Sequence, residues 1–118
     1  MTTNGLPRQE RLKSLKAIEG LFSGGNSTAT CFPVKAIWRS NDEEFSRLLV
    51  SVSKRLHKRA VIRNRIKRQM REAYRLNKHV LTTPCDIALL WLSRDTCPSA
   101  DVQSKVTRLL NKVSCAVS

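Results

Sequence analysis

The segment from Ser51 to Lys78 reads SVSKRLHKRAVIRNRIKRQMREAYRLNK and is the most strongly patterned part of the chain. It holds 11 of the 22 lysine and arginine residues and only one acid, Glu72. Apolar residues recur along it at helical spacing, which predicts an amphipathic helix from about Arg59 or Ala60 to Lys78. Charge of that density on one helix needs a polyanion to neutralise it, and a phosphate backbone is the obvious candidate.

This predicted helix has two unlike faces. The apolar face should pack on a sheet, and it gathers Ile62, Ile66, Gln69, Met70, Ala73 and Leu76. Opposite and flanking positions carry Arg63, Asn64, Lys67, Arg68, Arg71, Tyr74, Arg75 and Lys78. One acid cannot balance the seven basic residues between positions 60 and 78, which argues against a merely solvated face with internal ion pairs. A helix lying on a membrane is also disfavoured, because the apolar stripe is needed for the core.

The strongest motif on the helix is the run RNRIKR at residues 63–68. An arginine fork can bridge two phosphate oxygens, a lysine supplies a point charge, and an asparagine can donate to phosphate, sugar or a base edge. Spacing of three and four places Arg63, Lys67 and Arg71 on one line. Such a line of cations is suited to the backbone of a folded RNA or DNA.

Two strands are expected before the helix. Period-two alternation predicts one strand over residues 30–39 and a second over residues 45–53. The polar run at residues 41–44 predicts a turn between them, and therefore a hairpin. One face of the first strand carries Val34, Ala36 and Trp38.

Further elements flank this region. A short helix is expected between a Ser14 cap and Phe22, with Gly24-Gly25 ending it. The apolar run at residues 85–93 predicts a strand buried on both faces, inside a sheet. A last helix should start at Pro98-Ser99, with an inward stripe of Val102, Val106, Leu109, Leu110 and Val113. The fold class is therefore α+β, a mixed sheet with helices packed against it.

Composition bounds the remaining possibilities. A chain of 118 residues with 41% hydrophobic residues fits a single globular domain over residues 1–118, with residues 1–8 as a loose lead-in, and its net charge of +13 favours an anionic partner. No apolar run is long enough for a transmembrane helix and no secretory signal is visible, so a cytoplasmic protein without a membrane partner is expected. The four cysteines lack paired spacing, so buried thiols are expected and a zinc site is not.

The whole pattern resembles the protein subunit of bacterial ribonuclease P. The resemblance lies in SVSK, the basic residues that follow it, RNRIKR and REAYRLNK, with RLKS and LFSGG before them and CDIALL after them, and it covers about residues 9–115. It implies an αβββαβα sandwich with a four-stranded mixed sheet, in which the basic helix forms an unusual left-handed β-α-β crossover. It also implies two partners, a catalytic RNA subunit and precursor tRNA, and no DNA partner.

The resemblance further implies which subunit cleaves the substrate and which residues of the protein contact RNA. The RNA subunit and its Mg²⁺ ions would remove the 5′ leader from precursor tRNA, and the protein would contribute no catalytic residue and no metal site. RNA contacts would come from the helix residues Arg63, Asn64, Arg65, Lys67, Arg68 and Arg71. Further contacts would come from the strand end and turn, at Ser51, Ser53, Lys54, Arg55, Lys58 and Arg59.

A cleft between the first helix and the sheet would hold the single-stranded leader. Phe22 matches the cleft aromatic of the family, and Ile18 stands where many members have Phe. Trp38 stands two residues beyond the usual strand aromatic, and it is the candidate to replace it. The alternative is that Phe22 and Trp38 both belong to the core. Aromatic side chains stack on unpaired bases at roughly 1–3 kcal/mol each.

Two other functions compete with this interpretation. A stand-alone nuclease would need an acid-base pair, but His57 and His79 flank the predicted helix and are about 30 Å apart at 1.5 Å rise per residue. A ribosomal or other structured-RNA-binding protein, with no link to tRNA processing, would use the same basic face. That alternative leaves the full-length resemblance unexplained.

Overall fold

The computed structural model describes residues 11–12, 15–22, 26–41, 44–81 and 83–117. Four expectations fall on other positions and lie outside the described residues. They are the loose lead-in at residues 1–8, the Ser14 cap, the Gly24-Gly25 helix end and the middle of the turn at residues 41–44.

Across the described residues, three helices and four strands follow one another in the predicted order αβββαβα. They are α1 (Leu15–Phe22), β1 (Ser27–Cys31), β2 (Val34–Ser40), β3 (Arg47–Ser51), α2 (Ala60–Asn77), β4 (Cys85–Trp91) and α3 (Ser99–Val117). A short 3-10 turn, Lys78–Val80, extends the end of α2. The basic helix therefore begins at Ala60, as the apolar periodicity predicted, and ends at Asn77, one residue before the predicted Lys78.

The four strands form one mixed sheet in the order β1-β2-β4-β3. β2 is antiparallel to both β1 and β4, whereas β3 and β4 are parallel. Helix α2 connects these two parallel strands, so it is the crossover of a β-α-β unit. The left-handed sense of that crossover stays a prediction. The apolar run of β4 is confirmed as an inner strand, because it lies between β2 and β3.

The predicted hairpin is wrong, and so is the single strand over residues 30–39. The chain turns at Phe32-Pro33, a cis peptide, so this region forms the β1-β2 hairpin. Proline has no N–H to donate to a ladder, which is consistent with a turn there. β3 does not pair with β2, because the apolar β4 occupies the place between them.

The two faces of the sheet are covered by different helices. One face packs against α2 and α3 in the main core, which includes Ile66, Met70, Ile87, Leu89 and Val106. The other face carries a smaller cluster of Leu12, Leu21 and Ala88, to which α1 contributes. No helix among the described residues is both long enough and apolar enough to span a membrane.

Two side chains of α2 differ from the predicted faces. Leu76 was expected in the core, but it is 46% exposed because it lies at the edge of the apolar stripe. Tyr74 was expected near the basic face, but it is fully buried. Four residues along the helix from Met70, it falls on the core side and fills space in the main core.

Candidate nucleic-acid interface

Helix α2 presents a basic surface because its other side is fixed to the sheet. Ile66, Met70 and Ala73 are fully buried, and they orient the helix. We call the outward-facing set the basic ridge: Asn64, Lys67, Arg68 and Arg71. Asn64 and Arg68 are exposed, whereas Lys67 and Arg71 are half-buried along the flank. The ridge offers four hydrogen-bond donor groups in a row, three of them charged.

Arg63, the first motif residue, also binds within the protein. Its Nη1 donates to the carbonyl oxygens of His57 at 3.0 Å and Lys58 at 2.7 Å. The residue before the helix, Arg59, makes no side-chain cap hydrogen bond. Arg63 therefore fixes the chain that enters the helix, and only part of its donor capacity faces outward.

Arg65, the other motif arginine, is exposed and makes no such contact. Two residues correspond to about 200° around a helix, so Arg63 and Arg65 point about 160° apart. On the Arg65 side, Gln69 Nε2 donates to Cys97 O at 3.1 Å and Ser99 Oγ at 3.2 Å, which ties α2 to the start of α3. Arg65 therefore extends the basic surface towards α3.

A second group of cations lies in the basic turn, which we define as residues 53–59. Lys54, Arg55, Lys58 and Arg59 are all exposed, as is Ser53. Backbone N–H groups of Leu56 and His57 both donate to Ser53 O at 3.1 Å, and Ser53 Oγ accepts from Arg55 N at 3.1 Å. Ser51 precedes the turn at the end of β3 and is half-buried. The turn therefore holds its cations beside the N-terminus of α2.

His57 anchors this turn to the body of the protein. Its side chain is 9% exposed, and Nε2 lies 3.0 Å from Ser93 O just after β4. Sequence reasoning considered His57 only as an acid-base candidate and missed this role. The sequence around a single histidine in a charged turn does not indicate which distant carbonyl group that histidine will contact.

Arg71 lies in a strongly positive part of the interface. Partial burial lowers the pKa of its guanidinium, and the nearby charges of Arg11 and Arg68 lower it further. Arg11 belongs to the segment before α1, and it was not among the predicted RNA-binding residues. By contrast, Arg75 pairs with Glu72 three residues earlier, which lowers the pKa of that carboxyl.

The predicted leader cleft is only partly assembled. Phe22 is 44% exposed at the end of α1, and Ile18 packs against the cluster under that helix. Trp38 is 5% exposed and belongs to the main core on the opposite face of the sheet. The prediction that Trp38 lines the leader cleft is therefore wrong. Side chains alternate along a strand, and Trp38 points the same way as Val34 and Ala36. Ile37, the preceding residue, faces α1 instead.

Within the part of the chain that the structure describes, there is no group of three His, Cys, Asp or Glu side chains that could hold a metal ion. His57 and His79 lie beyond opposite ends of α2, whose 18 residues span about 27 Å. The positive surface would also repel a divalent cation unless phosphates accompany it. The geometry is that of a polyanion-binding surface.

Comparison with known proteins gives a consistent result. The family model described as Ribonuclease P matches residues 6–114. The ribonuclease P protein component of Porphyromonas gingivalis is 44% identical over 82 residues, covering 67% of this chain and 59% of that protein. The counterpart from Chlorobaculum tepidum is 45% identical over 85 residues, covering 68% and 55%. The chain thus spans under two thirds of the length of these relatives.

Solved structures show the same fold. The ribonuclease P protein from Thermotoga maritima superposes with a TM-score of 0.76 at 25% identity, covering 87% of this chain and 96% of that one. A ribonuclease P protein from Staphylococcus aureus superposes with a TM-score of 0.69 at 25% identity, covering 92% of each chain. The mixed sheet and its helices are therefore shared with these proteins.

Proposed function

Because this chain belongs to the ribonuclease P protein family, we propose that it is the RNA-binding protein subunit of ribonuclease P, an endoribonuclease. The observation that carries the proposal is the basic surface of α2, held outward by a buried apolar stripe. The alternative, a structured-RNA-binding protein unrelated to tRNA processing, would use a similar surface. It has no support from the family match, which extends over nearly the whole chain.

The protein's part in the reaction is electrostatic and positional. The basic ridge, Arg65 and the basic turn neutralise phosphates of the catalytic RNA subunit, and they lower the repulsion between that RNA and precursor tRNA. Arg63 and His57 hold the turn and helix in one geometry, so the cations are placed before the RNA arrives. Cleavage of the phosphodiester bond belongs to the RNA subunit with its Mg²⁺ ions, and no protein residue takes part in bond breaking.

The 5′ leader lies on the α1 face of the sheet. Phe22 is exposed there and can stack on an unpaired base, while Ile18 and Ile37 form part of the apolar floor. Trp38 has no part in this contact, because it lies on the far side of the sheet. The partners are thus the RNA subunit and precursor tRNA, in the cytoplasm, with neither DNA nor a membrane involved.

Reconstitution with a bacterial catalytic RNA tests this function. At low Mg²⁺ the RNA alone should remove the leader slowly, the protein alone should not cleave, and the two together should restore leader removal. A triple variant of the basic ridge, Lys67→Gln with Arg68→Gln and Arg71→Gln, should lose most of this rescue. Helix α3 supplies a matched control of equal charge loss, Lys105→Gln with Arg108→Gln and Lys112→Gln, which should retain it.

Two results would contradict the proposal. Cleavage of precursor tRNA by RNA-free protein, abolished in the variant of the basic ridge, would make the protein itself the nuclease. Failure of the wild-type protein to stimulate the RNA, despite tight binding to it, would favour a structural RNA-binding role instead.

A further inference from the structure

Arg11 is held beside the sheet rather than in a free tail. It forms an isolated parallel bridge with Leu48 of β3, and the N–H of Leu12 donates to Leu48 O at 2.9 Å. The side chain of Leu12 is buried in the cluster under α1, which fixes this segment from the other side. The Arg11 backbone is therefore anchored at the outer edge of β3.

This edge lies next to α2. Leu48 is 4% exposed and shares the main core with Ile66 and Met70 of the helix. Arg68 and Arg71 stand three residues apart on α2, so their Cβ atoms are about 5–6 Å apart. Partial burial lowers the pKa of Arg71, and the charges of Arg11 and Arg68 lower it further. Arg11 is thus fixed at the edge of β3, and β3 packs against α2, which carries Arg68 and Arg71.

The described acids do not neutralise this cluster. Arg47 pairs with Asp86 and Arg75 pairs with Glu72, and neither of these ion pairs involves Arg11, Arg68 or Arg71. Three like charges held together cost free energy in the folded protein, and an anion with several oxygens removes that cost. Guanidinium forks match the tetrahedral oxygens of a phosphate group.

We propose that Arg11, Arg68 and Arg71 form one phosphate-binding site, in which Arg11 from the N-terminal segment completes a contact begun by helix α2. The site rests on the proposed function, because an RNA backbone supplies the phosphate. It extends the interface from the helix to the segment paired with β3. The bound phosphate then joins two parts of the chain that repel each other when it is absent.

Binding and stability measurements on single and double variants test the site. Arg11→Gln should weaken binding to a bacterial ribonuclease P RNA about tenfold, and it should make the slope of log K against log salt about 0.7–0.9 less negative. The double variant with Arg71→Gln should lose less than the sum of the two single losses, because both residues share one phosphate. Arg108→Gln, an exposed single-charge control on α3, should bind nearly as well as the wild type.

Thermal unfolding without RNA separates a binding role from a structural one. Arg11→Gln removes repulsion from the cluster, so its melting temperature should equal or exceed that of the wild type. A large drop in melting temperature would show that Arg11 serves folding, and it would overturn the site. The proposed site would also be overturned if Arg11→Gln bound the RNA as tightly as Arg108→Gln does, or if the losses of affinity in the double variant were additive. If the wild-type protein failed to bind the RNA at all, the proposed function itself would be wrong.

Discussion

The two arginines of the Arg63-Asn64-Arg65 motif do different work although they are only two residues apart. Arg63 donates to two carbonyl groups of the preceding turn, whereas Arg65 is exposed on the other side of the helix. The motif was predicted to bind phosphate as one unit. In the structure, Arg63 supports the preceding turn, whereas Arg65 is exposed and can contact a phosphate.

Alanine substitution should separate these two roles. Arg63→Ala leaves the carbonyls of His57 and Lys58 without this donor, and it should lower the free energy of unfolding by about 1–2 kcal/mol. Arg65→Ala should leave stability nearly unchanged but reduce the salt dependence of RNA binding by about one phosphate contact. Chemical denaturation and binding titrations at several salt concentrations measure both effects. Equal stability of the two variants would contradict a supporting role for Arg63.

Alanine substitution of Phe22 and of Trp38 should also have different effects on stability and RNA binding. Trp38→Ala opens a cavity in the main core and should cost about 3–5 kcal/mol of stability. Phe22→Ala removes a side chain that is 44% exposed, so it should cost less than about 1 kcal/mol. It should nevertheless weaken the binding of leader-bearing precursor more than that of mature tRNA, by about 1–3 kcal/mol. Equal losses for the two RNAs would assign Phe22 to folding instead.

Burial makes the thiol of Cys85 unreactive. Desolvation, with a smaller contribution from Asp86, raises its pKa to about 11, although a hydrogen bond with Ser46 opposes the shift. Only the thiolate reacts with alkylating reagents, so at pH 8 about one Cys85 side chain in a thousand is reactive. The prediction of buried thiols is wrong for Cys115, which is exposed. Mass spectrometry after labelling at pH 8 should find Cys115 modified well before Cys85. Unfolding in denaturant should remove the difference, and rapid labelling of folded Cys85 would contradict its burial.

At the scale of elements, the position and orientation of α2 were predictable because the apolar periodicity determines both its buried and its exposed face. The apolar period that buries Ile66 and Met70 also determines which cations face outward. Contacts between segments distant in the sequence were not predictable in this way. The carbonyl that meets His57 and the approach of Arg11 to Arg71 depend on how β3, β4 and α2 are arranged.

The order of the strands illustrates the same limit. Alternation identified which residues of β2 share a face, but it carries no information about which strand lies beside it. Two neighbouring alternating segments suggested a hairpin, whereas β4 lies between them. Trp38 was wrongly predicted to line the leader cleft for a related reason. Alternation shows that Trp38 shares a face with Ala36, but it does not show which helix covers that face.

A buried ion pair ties the parallel strands β3 and β4 together. Asp86 is 1% exposed and accepts from Arg47 Nε at 2.8 Å and Nη2 at 3.0 Å, and from Asn41 Nδ2 at 2.9 Å. Asp86→Ala should cost about 3–5 kcal/mol, because it removes the buried carboxylate that accepts hydrogen bonds from Arg47 and Asn41. Glu72→Gln breaks the exposed pair with Arg75 and should change stability little, so it serves as the control. Similar melting temperatures for the two variants would show that the buried pair does not stabilise the sheet.

At the scale of the whole molecule, the net charge of +13 should make salt act in opposite directions on folding and on binding. Salt shortens the Debye length from about 10 Å at 0.1 M to about 3 Å at 1 M, which weakens repulsion within the free protein. The melting temperature should therefore rise by a few degrees over that range, while RNA affinity falls steeply as counterion release becomes less favourable. The α3 triple variant at Lys105, Arg108 and Lys112 carries three fewer charges, so its melting temperature should depend less on salt while its RNA binding keeps nearly the wild-type slope. A free protein that lost stability as NaCl increased would show that attraction between its charges outweighs their repulsion.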